Sequence, residues 1–435
     1  MKPTLVFQGP VATRSGYGDH ARDLLHSLYK LDKFDIKVVS LRWGQTPMDA
    51  LNYDNEFHKW IIESIIPGVQ EKPDIFIQVT VPNEFQPVGF YNIGITAAIE
   101  TTHSPIDWVH GCNRMDLIIV PSEHSKKSLI DSVYNEQDKN NGQLIAQHKI
   151  QKPVEVLFEG FNESFGNEVI EYVSELDSIK EEFAFLFVGH WLRGDLGEDR
   201  KNVGMTIKTF AMAFKNEKVK PALVLKTSSA GFSVLDRENT IKKIKSALGK
   251  DYGKVPVYLI HGDLTEAQMD GLYNHPKIKA MVNFTKGEGF GRPLLEFSLV
   301  NKPIIASGWS GHIDFLDNQF TKQIGGALYN VHPSAAVDKM ILTESSWFRP
   351  DEALTGKALK DVFDDYKVYK ELAKRQGHRS RTLFSYEKMR ETLDKLLTQY
   401  VPEFPKEVQI KLPQLKKIEL PKLKKIGADI TGEGF

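Results

Sequence analysis

Short runs of β-branched and aromatic residues alternate with helix-length amphipathic segments from the first residues of the chain onward. This alternation is typical of βαβ units, in which a helix connects one strand to the next parallel strand of the same sheet. The pattern therefore predicts an α/β fold. The runs that we predict to be strands are Thr4–Gln8, Ile36–Leu41, Ile75–Val79, Ile93–Ile99, Leu117–Val120, Val154–Phe158, Ala184–Val188, Ala222–Lys226, Val257–Ile260, Ala280–Asn283 and Pro303–Ala306.

The predicted strands form two groups, separated by Glu159–Glu182, a polar and partly acidic stretch that we interpret as a linker. A chain of 435 residues also exceeds the size at which a single hydrophobic core usually stops growing. We therefore predict two Rossmann-like, doubly wound domains, residues 1–165 and residues 183–380, that face each other across a cleft. In such domains, ligands bind where the strands end and the loops pass into helices.

The end of the chain differs in character. Residues 381–400 are predicted to form a helix that packs back toward the amino-terminal domain, because apolar side chains recur there at helical spacing. Residues 401–435 form a basic tail rich in Pro, Lys and Leu, with a small repeat at 412–418 and 420–426. Its prolines disfavour a continuous helix. We interpret the tail as a solvated or partner-packed extension, with binding of phosphates or acidic surfaces as the alternative.

Composition limits the partners of the protein. The formal net charge is −1, so no chain-wide positive field attracts nucleic acid or anionic lipid, and such a partner would need a local basic patch. Cys112 is the only cysteine, which excludes an intramolecular disulfide and a cysteine-based metal site and fits a reducing, cytoplasmic compartment. We expect no transmembrane segment and no secretory signal, because no apolar run has the required length and flanks.

A glycine-containing loop, Gly9–Gly18, follows the first predicted strand and leads into a helix. Free backbone N–H groups and the helix dipole at such a point favour an anion, and glycines allow a ligand to approach closely. Gly16 and Tyr17 are the candidate ligand contacts in this loop. The alternative is a plain tight turn, and the segment is not a complete G-x-G-x-x-G fingerprint.

The most informative segment is Asn283–Glu296, where a strand ends and a glycine-dense loop again opens into a helix. Backbone amides from Gly289 to Leu294, which include Phe290 and Gly291, are placed to face a diphosphate, and Arg292 adds a charge-assisted contact. Glu288 and Glu296 lie on either side of the loop. Carboxylates accept hydrogen bonds from paired sugar hydroxyls, so this pair suits the recognition of a sugar.

The sequence EGFGRPLLE, with Glu288 and Glu296 separated by seven residues, resembles the E-x7-E signature of retaining GT-B glycosyltransferases, specifically glycosyltransferase family 4. The following segments Lys302–Ser307 and Ser310–Leu316 continue the pattern of that family. The loop at the amino end resembles the first donor-facing loop of such enzymes, and Ser15–Arg22 is similar to phage-encoded members. The resemblance implies a GT-B fold, with an acceptor domain first and a nucleotide-sugar donor domain second, and the host cytoplasm as the location of a phage-encoded member.

The resemblance also implies roles for single residues. Glu288 would contact hydroxyls of the donor sugar, and Glu296 would hold the ribose. In the family, a basic residue after the first strand of the second domain and a later lysine clamp the diphosphate. Lys201 matches the lysine, whereas His190 stands where arginine is usual. Other cations that could supply the missing charge or bind the phosphates are Arg193, Arg200 and Lys226, the last of which is alternatively a solvated edge residue.

On the acceptor side, Glu100 and His103 follow a predicted strand and resemble the stretch that lies near the reacting sugar carbon. His103 would orient the donor or help an acceptor hydroxyl to lose its proton. Its alternative is a histidine satisfied within a loop. Glu100 is not expected to be a nucleophile, because the family is thought to retain configuration by a same-face route that the leaving phosphate assists.

We expect no cofactor and no metal requirement, since the chain contains no Asp-x-Asp and neither Glu123–His124 nor Asp364–Asp365 shows a ligand spacing. The expected donor is a nucleotide-sugar, with a UDP-sugar first. The expected acceptor is a glycan, a small molecule or a modified base of phage DNA. A non-catalytic protein that binds sugar-nucleotides or glycans is the remaining alternative. The sequence leaves the oligomeric state open.

Overall fold

The computed structural model describes residues 2–161, 165, 171–229 and 231–404. Residues Lys2–Pro402 belong to one unit, and the strands within it form two six-stranded sheets and two short hairpins. The predicted basic repeat at 412–426 lies outside the described residues, as does part of the predicted linker.

The strands of the described residues, in chain order, are β1 (Thr4–Gly9), β2 (Asp35–Ser40), β3 (Ile75–Val79), β4 (Tyr91–Ile95), β5 (Leu117–Val120), β6 (Tyr134–Gln137), β7 (Leu144–His148), β8 (Val154–Val156), β9 (Ala184–Val188), β10 (Ala222–Lys226), β11 (Val257–Ile260), β12 (Ile278–Asn283), β13 (Ile304–Ser307), β14 (Lys322–Ile324), β15 (Gly326–Asn330) and β16 (Ser346–Pro350).

The α-helices of the described residues are α1 (Gly16–Leu31), α2 (Glu56–Ser64), α3 (Ile106–Asn113), α4 (Glu123–Ile130), α5 (Val203–Phe214), α6 (Val234–Leu248), α7 (Glu266–Asn274), α8 (Arg292–Ser298), α9 (Glu352–Asp364), α10 (Tyr366–Leu383) and α11 (Tyr386–Tyr400). Several begin at a polar cap, as where the hydroxyl of Ser15 accepts from the amide of Gly18, or where Thr265 and Gln268 form a reciprocal capping box.

The first sheet has the strand order β2-β1-β3-β4-β5-β8, and the second has the order β11-β10-β9-β12-β13-β14. All neighbouring strands in both sheets are parallel. The two sheets therefore have the doubly wound form that the alternating pattern predicts, and the α/β prediction is confirmed.

The central strands are buried on both faces, because helices cover each sheet on two sides. Every residue of β3 and of β5 is buried. In β9 the side chains alternate between two hydrophobic clusters, with Leu186 in one and Phe185 and Phe187 in the other. The second sheet thus separates two cores, one on each face.

Every strand predicted from the sequence overlaps an observed strand, but some end earlier. The run Ile93–Ile99 continues only to Ile95, because the chain then leaves the sheet and Ala98 adopts a left-handed conformation with φ of 55°. The hairpins β6–β7 and β15–β16 are not predicted. Strands β6, β7 and β15 are largely exposed and lack the alternation of apolar and polar side chains that marks a half-buried strand, although β16 is mostly buried.

The predicted helix over residues 381–400 is wrong at its start. Helix α10 continues to Leu383, and α11 begins at Tyr386 after Ser385, whose hydroxyl accepts from the amide of Lys388 at 3.3 Å. Helix α11 packs against α1 of the amino-terminal half, where Lys33 and Asp394 form an ion pair of 2.5 Å.

Two further features bear on expectations from the sequence. Cys112 is a free, buried cysteine, and burial raises the pKa of its thiol to about 12. Among the helices that the structure describes, none combines the length and apolar character needed to traverse a bilayer.

Candidate functional site

The candidate site lies where two neighbouring strands of the second sheet end. Strands β9 and β12 are paired, with Leu186 opposite Met281, so the loops that follow them start side by side. The first loop leads to α5 and the second to α8. The amide of Lys286 in the second loop donates to the carbonyl of Arg200 in the first at 2.8 Å, which joins the two loops. This is the edge at which ligands bind in parallel sheets.

Glu288 is the buried centre of this edge. Its carboxylate oxygens lie 2.5 and 2.7 Å from Nζ of Lys201 and 3.4 Å from a guanidinium nitrogen of Arg200, and Asn283 donates to it at 3.3 Å. Burial alone would raise the pKa of Glu288, but the two cations outweigh it and hold the pKa at about 2. Glu288 is therefore ionised at neutral pH. The structure brings the predicted residues Glu288, Lys201 and Arg200 together.

The amino-terminal half contributes Glu100 to the same cluster. Oε1 of Glu100 lies 3.1 Å from Arg200, so this guanidinium contacts carboxylates from both halves of the protein. A Cβ on Gly287 would lie 2.0 Å from the carbonyl oxygen of Glu100, and one on Gly289 would lie 2.9 Å from that of Ala97. These two glycines are needed because the loop is pressed against the first domain.

Hydroxyl groups of the first domain also bind this loop. Ser122 donates to the carbonyl of Gly289 at 2.5 Å, and Ser125 lies 3.3 Å from the same oxygen. His103, in contrast, is exposed and its Nδ1 lies 2.9 Å from the hydroxyl of Thr102. None of the contacts among the described residues joins His103 to Glu100 or Glu288, so the structure does not bring His103 into the cluster.

Glu296, at the other end of the segment, lies in a different network. Nε of Arg292 donates to Glu296 at 3.0 Å, while another nitrogen of the same guanidinium forms an ion pair with Asp23 of α1. Glu159 lies 4.0 Å from Arg292, and the hydroxyl of Tyr386 bonds to Asp23. We call these five residues the Arg292 hub. It connects α1, α8 and α11.

The Arg292 hub contains more carboxylates than cations. Burial raises the pKa of Glu296 to about 7, although Arg292 opposes the shift, and raises that of Glu159 to about 8 against the same cation. Burial also raises the pKa of Asp23. The guanidinium that the sequence predicted to contact a diphosphate is thus engaged by three acidic side chains and a phenol.

The remaining residues of the glycine-dense loop either pack in the core through their side chains or matter through their backbone. Phe290 is buried, with its ring centroid 5.0 Å from that of Phe315, so its side chain belongs to the core. Gly291 precedes α8 with φ of 96°, a conformation that favours glycine. The amide of Leu294 is used by the helix, since it donates to the carbonyl of Gly291 at 2.9 Å. Pro293 is the second residue of α8, where a proline is tolerated because its missing N–H would have no partner within the helix.

In the Gly9–Gly18 loop, a Cβ on Gly16 would meet open space, whereas one on Gly18 would lie 2.2 Å from the carbonyl oxygen of Thr13. The close packing therefore requires Gly18, which the sequence did not single out. Tyr17 stacks on Trp43 with 4.0 Å between ring centroids, and its hydroxyl accepts from the amide of Ala97 at 3.0 Å. Burial raises the pKa of Tyr17 to about 12. Its phenol is thus fixed within the first domain.

Three further predicted cations lie at or beside the ends of β9 and β10. Nδ1 of His190 is 3.3 Å from the hydroxyl of Ser228, and its pKa is lowered first by partial burial and then by Lys201 and Lys226. His190 is therefore neutral at neutral pH. Burial also lowers the pKa of Lys226, although Asp263 opposes it. Arg193 is exposed, and no ion pair of the described residues involves it.

Sequence reasoning missed the partners of Arg292. Asp23 lies 269 positions away in the chain, and no local pattern connects the two. A signal did exist, because Asp23 stands on the apolar face of α1 beside Leu24 and Glu159 directly follows a predicted strand. Buried carboxylates at such positions need a cation. Within the described part of the chain, no group of three or more His, Cys, Asp or Glu side chains is arranged to hold a metal ion.

Comparison with solved structures supports the architecture. The chain aligns with sucrose-phosphate synthase from Thermosynechococcus elongatus at a TM-score of 0.58 and 13% identity, covering 92% of this chain and 99% of that one. It aligns with Anabaena HepE, solved with UDP and glucose, at a TM-score of 0.57 and 12% identity, covering 91% of this chain and 100% of that one. It aligns with the UDP-forming α,α-trehalose-phosphate synthase of Burkholderia xenovorans at a TM-score of 0.57 and 9% identity, covering 93% of this chain and 100% of that one.

At these identities the likeness concerns the fold, and the predicted GT-B architecture is confirmed. Neither a scan against protein-family models nor a search of curated proteins finds a match.

Proposed function

We propose that the protein transfers a sugar from a nucleotide-sugar donor to an acceptor hydroxyl, as a retaining enzyme similar to glycosyltransferase family 4. The observation that carries the proposal is the buried Glu288, ionised between Lys201 and Arg200 at the carboxyl edge of the second sheet and facing Glu100 of the first domain. A cluster in which an acceptor of hydroxyl protons stands beside two cations suits a sugar attached to a diphosphate.

In this proposal the donor spans the segment from Glu288 to Glu296. Glu288 accepts hydrogen bonds from the donor sugar, and Glu296 accepts them from the ribose. Lys201 and Arg200 neutralise the diphosphate together with amides of the glycine-dense loop, with Lys226 as a further cation. UDP is the first choice of nucleotide, because HepE was solved with UDP and the trehalose-phosphate synthase is described as UDP-forming.

In the chemical step the protein mainly positions the donor and the acceptor and stabilises the charge that develops. A bond forms between the acceptor oxygen and the anomeric carbon while the bond from that carbon to the phosphate oxygen breaks. The acceptor proton passes to the leaving phosphate on the same face of the sugar. Lys201 and Arg200 stabilise the charge that develops on the diphosphate, and these fixed cations make a metal ion unnecessary.

Glu100 and His103 take different parts in the proposed reaction. Glu100 is held 3.1 Å from Arg200, so it orients that cation instead of attacking the sugar. His103 is exposed, and in this proposal it orients an acceptor hydroxyl. A glycan or a small molecule is the proposed acceptor class. A cytoplasmic location remains a prediction from the sequence.

The test is incubation of the protein with a panel of UDP-, GDP- and ADP-sugars, with and without a chelator, while release of the nucleotide is measured. We expect release from a UDP-sugar at a rate that the chelator does not change. Adding oligosaccharides in one arm and hydroxymethylated duplex DNA in another then identifies the acceptor class. Absence of nucleotide release with every donor and acceptor would contradict the proposal and favour a binding protein.

A further inference from the structure

Lys286 is a buried lysine in the wall of the candidate site. Its side chain has no exposed surface, and its Nζ donates to the carbonyl of Gly197 at 2.6 Å and to Glu198 at 3.1 Å. The ring centroid of Trp347 lies 4.7 Å from the same nitrogen. Burying an ammonium group is costly unless it is paired and hydrogen-bonded, and here a carbonyl, a carboxylate and an aromatic face surround it.

The backbone of Lys286 is fixed as firmly as its side chain. Its amide donates to the carbonyl of Arg200 at 2.8 Å, and its carbonyl accepts from the amide of Phe348 at 2.9 Å. Lys286 therefore contacts the segment Gly197–Lys201 at two backbone positions, because its ammonium binds the carbonyl of Gly197 and its amide binds that of Arg200. This segment carries both cations that face Glu288.

The hairpin β15–β16 closes the other side of Lys286. Trp347 is buried over the ammonium, and the guanidinium of Arg349 lies 2.9 and 3.1 Å from the two carboxylate oxygens of Glu198. The connection between the two strands adds a further contact, because Ser334 accepts from the amide of Asp195 at 2.9 Å. The hairpin thus supports the same loop that Lys286 holds.

Lys302 provides a comparison within the same domain. It is also a largely buried lysine, and it donates to the carbonyls of Tyr273 at 2.6 Å and His275 at 2.9 Å. It lies near the amino end of β13, however, and its hydrogen bonds reach no residue of the Glu288 cluster. If Lys286 served folding alone, replacing it would have the same effects on the Glu288 cluster as replacing Lys302.

We propose that Lys286 is a positioning residue, which fixes the loop Gly197–Lys201 so that Arg200 and Lys201 meet Glu288, with the hairpin β15–β16 as its outer support. The effect of Lys286 on turnover rests on the proposed function. The effect of Lys286 on the position of Lys201 is independent of that function, so the two effects are tested separately.

The geometry is tested by labelling lysines with an amine-reactive reagent and following each site by mass spectrometry. In the wild-type protein Lys201 is 11% exposed and bound to both oxygens of Glu288, so it should react slowly. Lys286→Met removes the ammonium but leaves Glu198 paired with Arg349. We expect labelling of Lys201 to become several times faster in Lys286→Met and to stay at the wild-type rate in Lys302→Met.

The functional consequence is tested with the nucleotide-sugar that the wild-type protein turns over. We expect Lys286→Met to lower kcat roughly 10- to 100-fold, because small errors of position in a catalytic cluster have effects of that size. The affinity for free UDP should also fall, by roughly 3- to 10-fold, because the proposed function has Arg200 and Lys201 bind its diphosphate. Lys302→Met should lower the melting temperature and leave kcat and UDP affinity near the wild-type values.

Each result decides a separate point. Unchanged labelling of Lys201 in folded Lys286→Met would overturn the positioning role, whether or not the protein is a transferase. If Lys286→Met fails to fold, Glu198→Gln, which weakens the same contact and keeps its shape, takes its place with the same expectations. Absence of turnover in the wild-type protein with normal labelling results would contradict the proposed function and leave the positioning role supported.

Discussion

The two glutamates of the EGFGRPLLE segment are close in sequence but lie in opposite electrostatic surroundings. Glu288 is one carboxylate between two cations, Lys201 and Arg200, and its pKa is about 2. Glu296 shares the single cation Arg292 with other acids, and its pKa is about 7. The Glu288 side chain is buried, and that of Glu296 is largely buried with 12% exposed. The ratio of cations to carboxylates, and not burial, therefore sets the difference between them.

The different surroundings of Glu288 and Glu296 suit the two ends of the segment to different roles. An ionised Glu288 is a permanent acceptor for hydroxyl groups and stays beside the cations of the proposed diphosphate site. The Arg292 hub instead joins the two halves of the protein, because Asp23 belongs to α1 and Tyr386 to α11. In the proposed function, one end of the segment serves the chemistry, and the other holds the two halves together while it also presents Glu296 to the ribose.

The largest expected effect comes from removing the only cation of the hub. Arg292→Met leaves Asp23, Glu159 and Glu296 buried without their cation, which should lower the free energy of unfolding by about 3–5 kcal/mol. Urea denaturation measures it. The matched control is Asp263→Asn, which breaks the exposed ion pair of 2.8 Å with Arg14 and should cost less than about 1 kcal/mol.

Equal losses in the Arg292 and Asp263 variants would show that the hub does not hold the domains together. The structural role that we assign to the Arg292 end of the segment would then be wrong, whereas the role proposed for Glu288 would be unaffected.

The next effect separates the two glutamates by kinetics. Glu288→Gln should lower turnover roughly 100-fold and change UDP affinity little, because its carboxylate acts on the sugar and on the charge beside it. Glu296→Gln should weaken UDP binding roughly tenfold, since it replaces one of the two carboxylate oxygens that accept from the ribose hydroxyls by an amide that can only donate. Nucleotide-sugar turnover and UDP titration measure the two quantities. Identical profiles for both variants would contradict the division of tasks.

The third expected effect is a pH dependence of stability, of opposite sign at the two ends of the segment. The pKa of Glu296 is raised from 4.5 to about 7, so its protonated form stabilises the fold below pH 4.5 and this stability is lost as pH rises through 7. The pKa of Glu288 is lowered, so its contribution is present above pH 4.5 and is lost as pH falls toward 2.

Unfolding free energies measured from pH 5 to 8 test the Glu296 part. The wild-type protein should lose up to about 3 kcal/mol from this group over the range, and Glu296→Gln should show a flatter slope. Glu288→Gln should keep the wild-type slope there. A wild-type slope in Glu296→Gln would mean that this carboxylate does not hold a proton in the folded state.

Much of the fold could be predicted because it depends on local patterns. Strands buried on both faces appear as apolar runs, and the helix between Val203 and Phe214 shows its spacing directly. The hairpin β15–β16 could not be predicted, because β15 is exposed along its length and carries no periodic signal.

The candidate site was predictable only in part, for a related reason. Glu288 and Lys201 stand in recognisable segments, and the pairing of β9 with β12 brings those segments together. Arg292 was predicted to contact a diphosphate from its place at a helix start. Its binding to Asp23 depends on how α1 approaches α8. The sequence around Asp23 indicates a buried carboxylate, but nothing in it shows that Arg292, 269 positions away, is the partner.

The most direct test of the donor site is a crystal structure of the protein with UDP. We predict the diphosphate within hydrogen-bond distance of Lys201 and the loop before α8, and the ribose hydroxyls on Glu296. A nucleotide bound outside the cleft, with Glu288 and Lys201 unchanged and remote from it, would contradict the account.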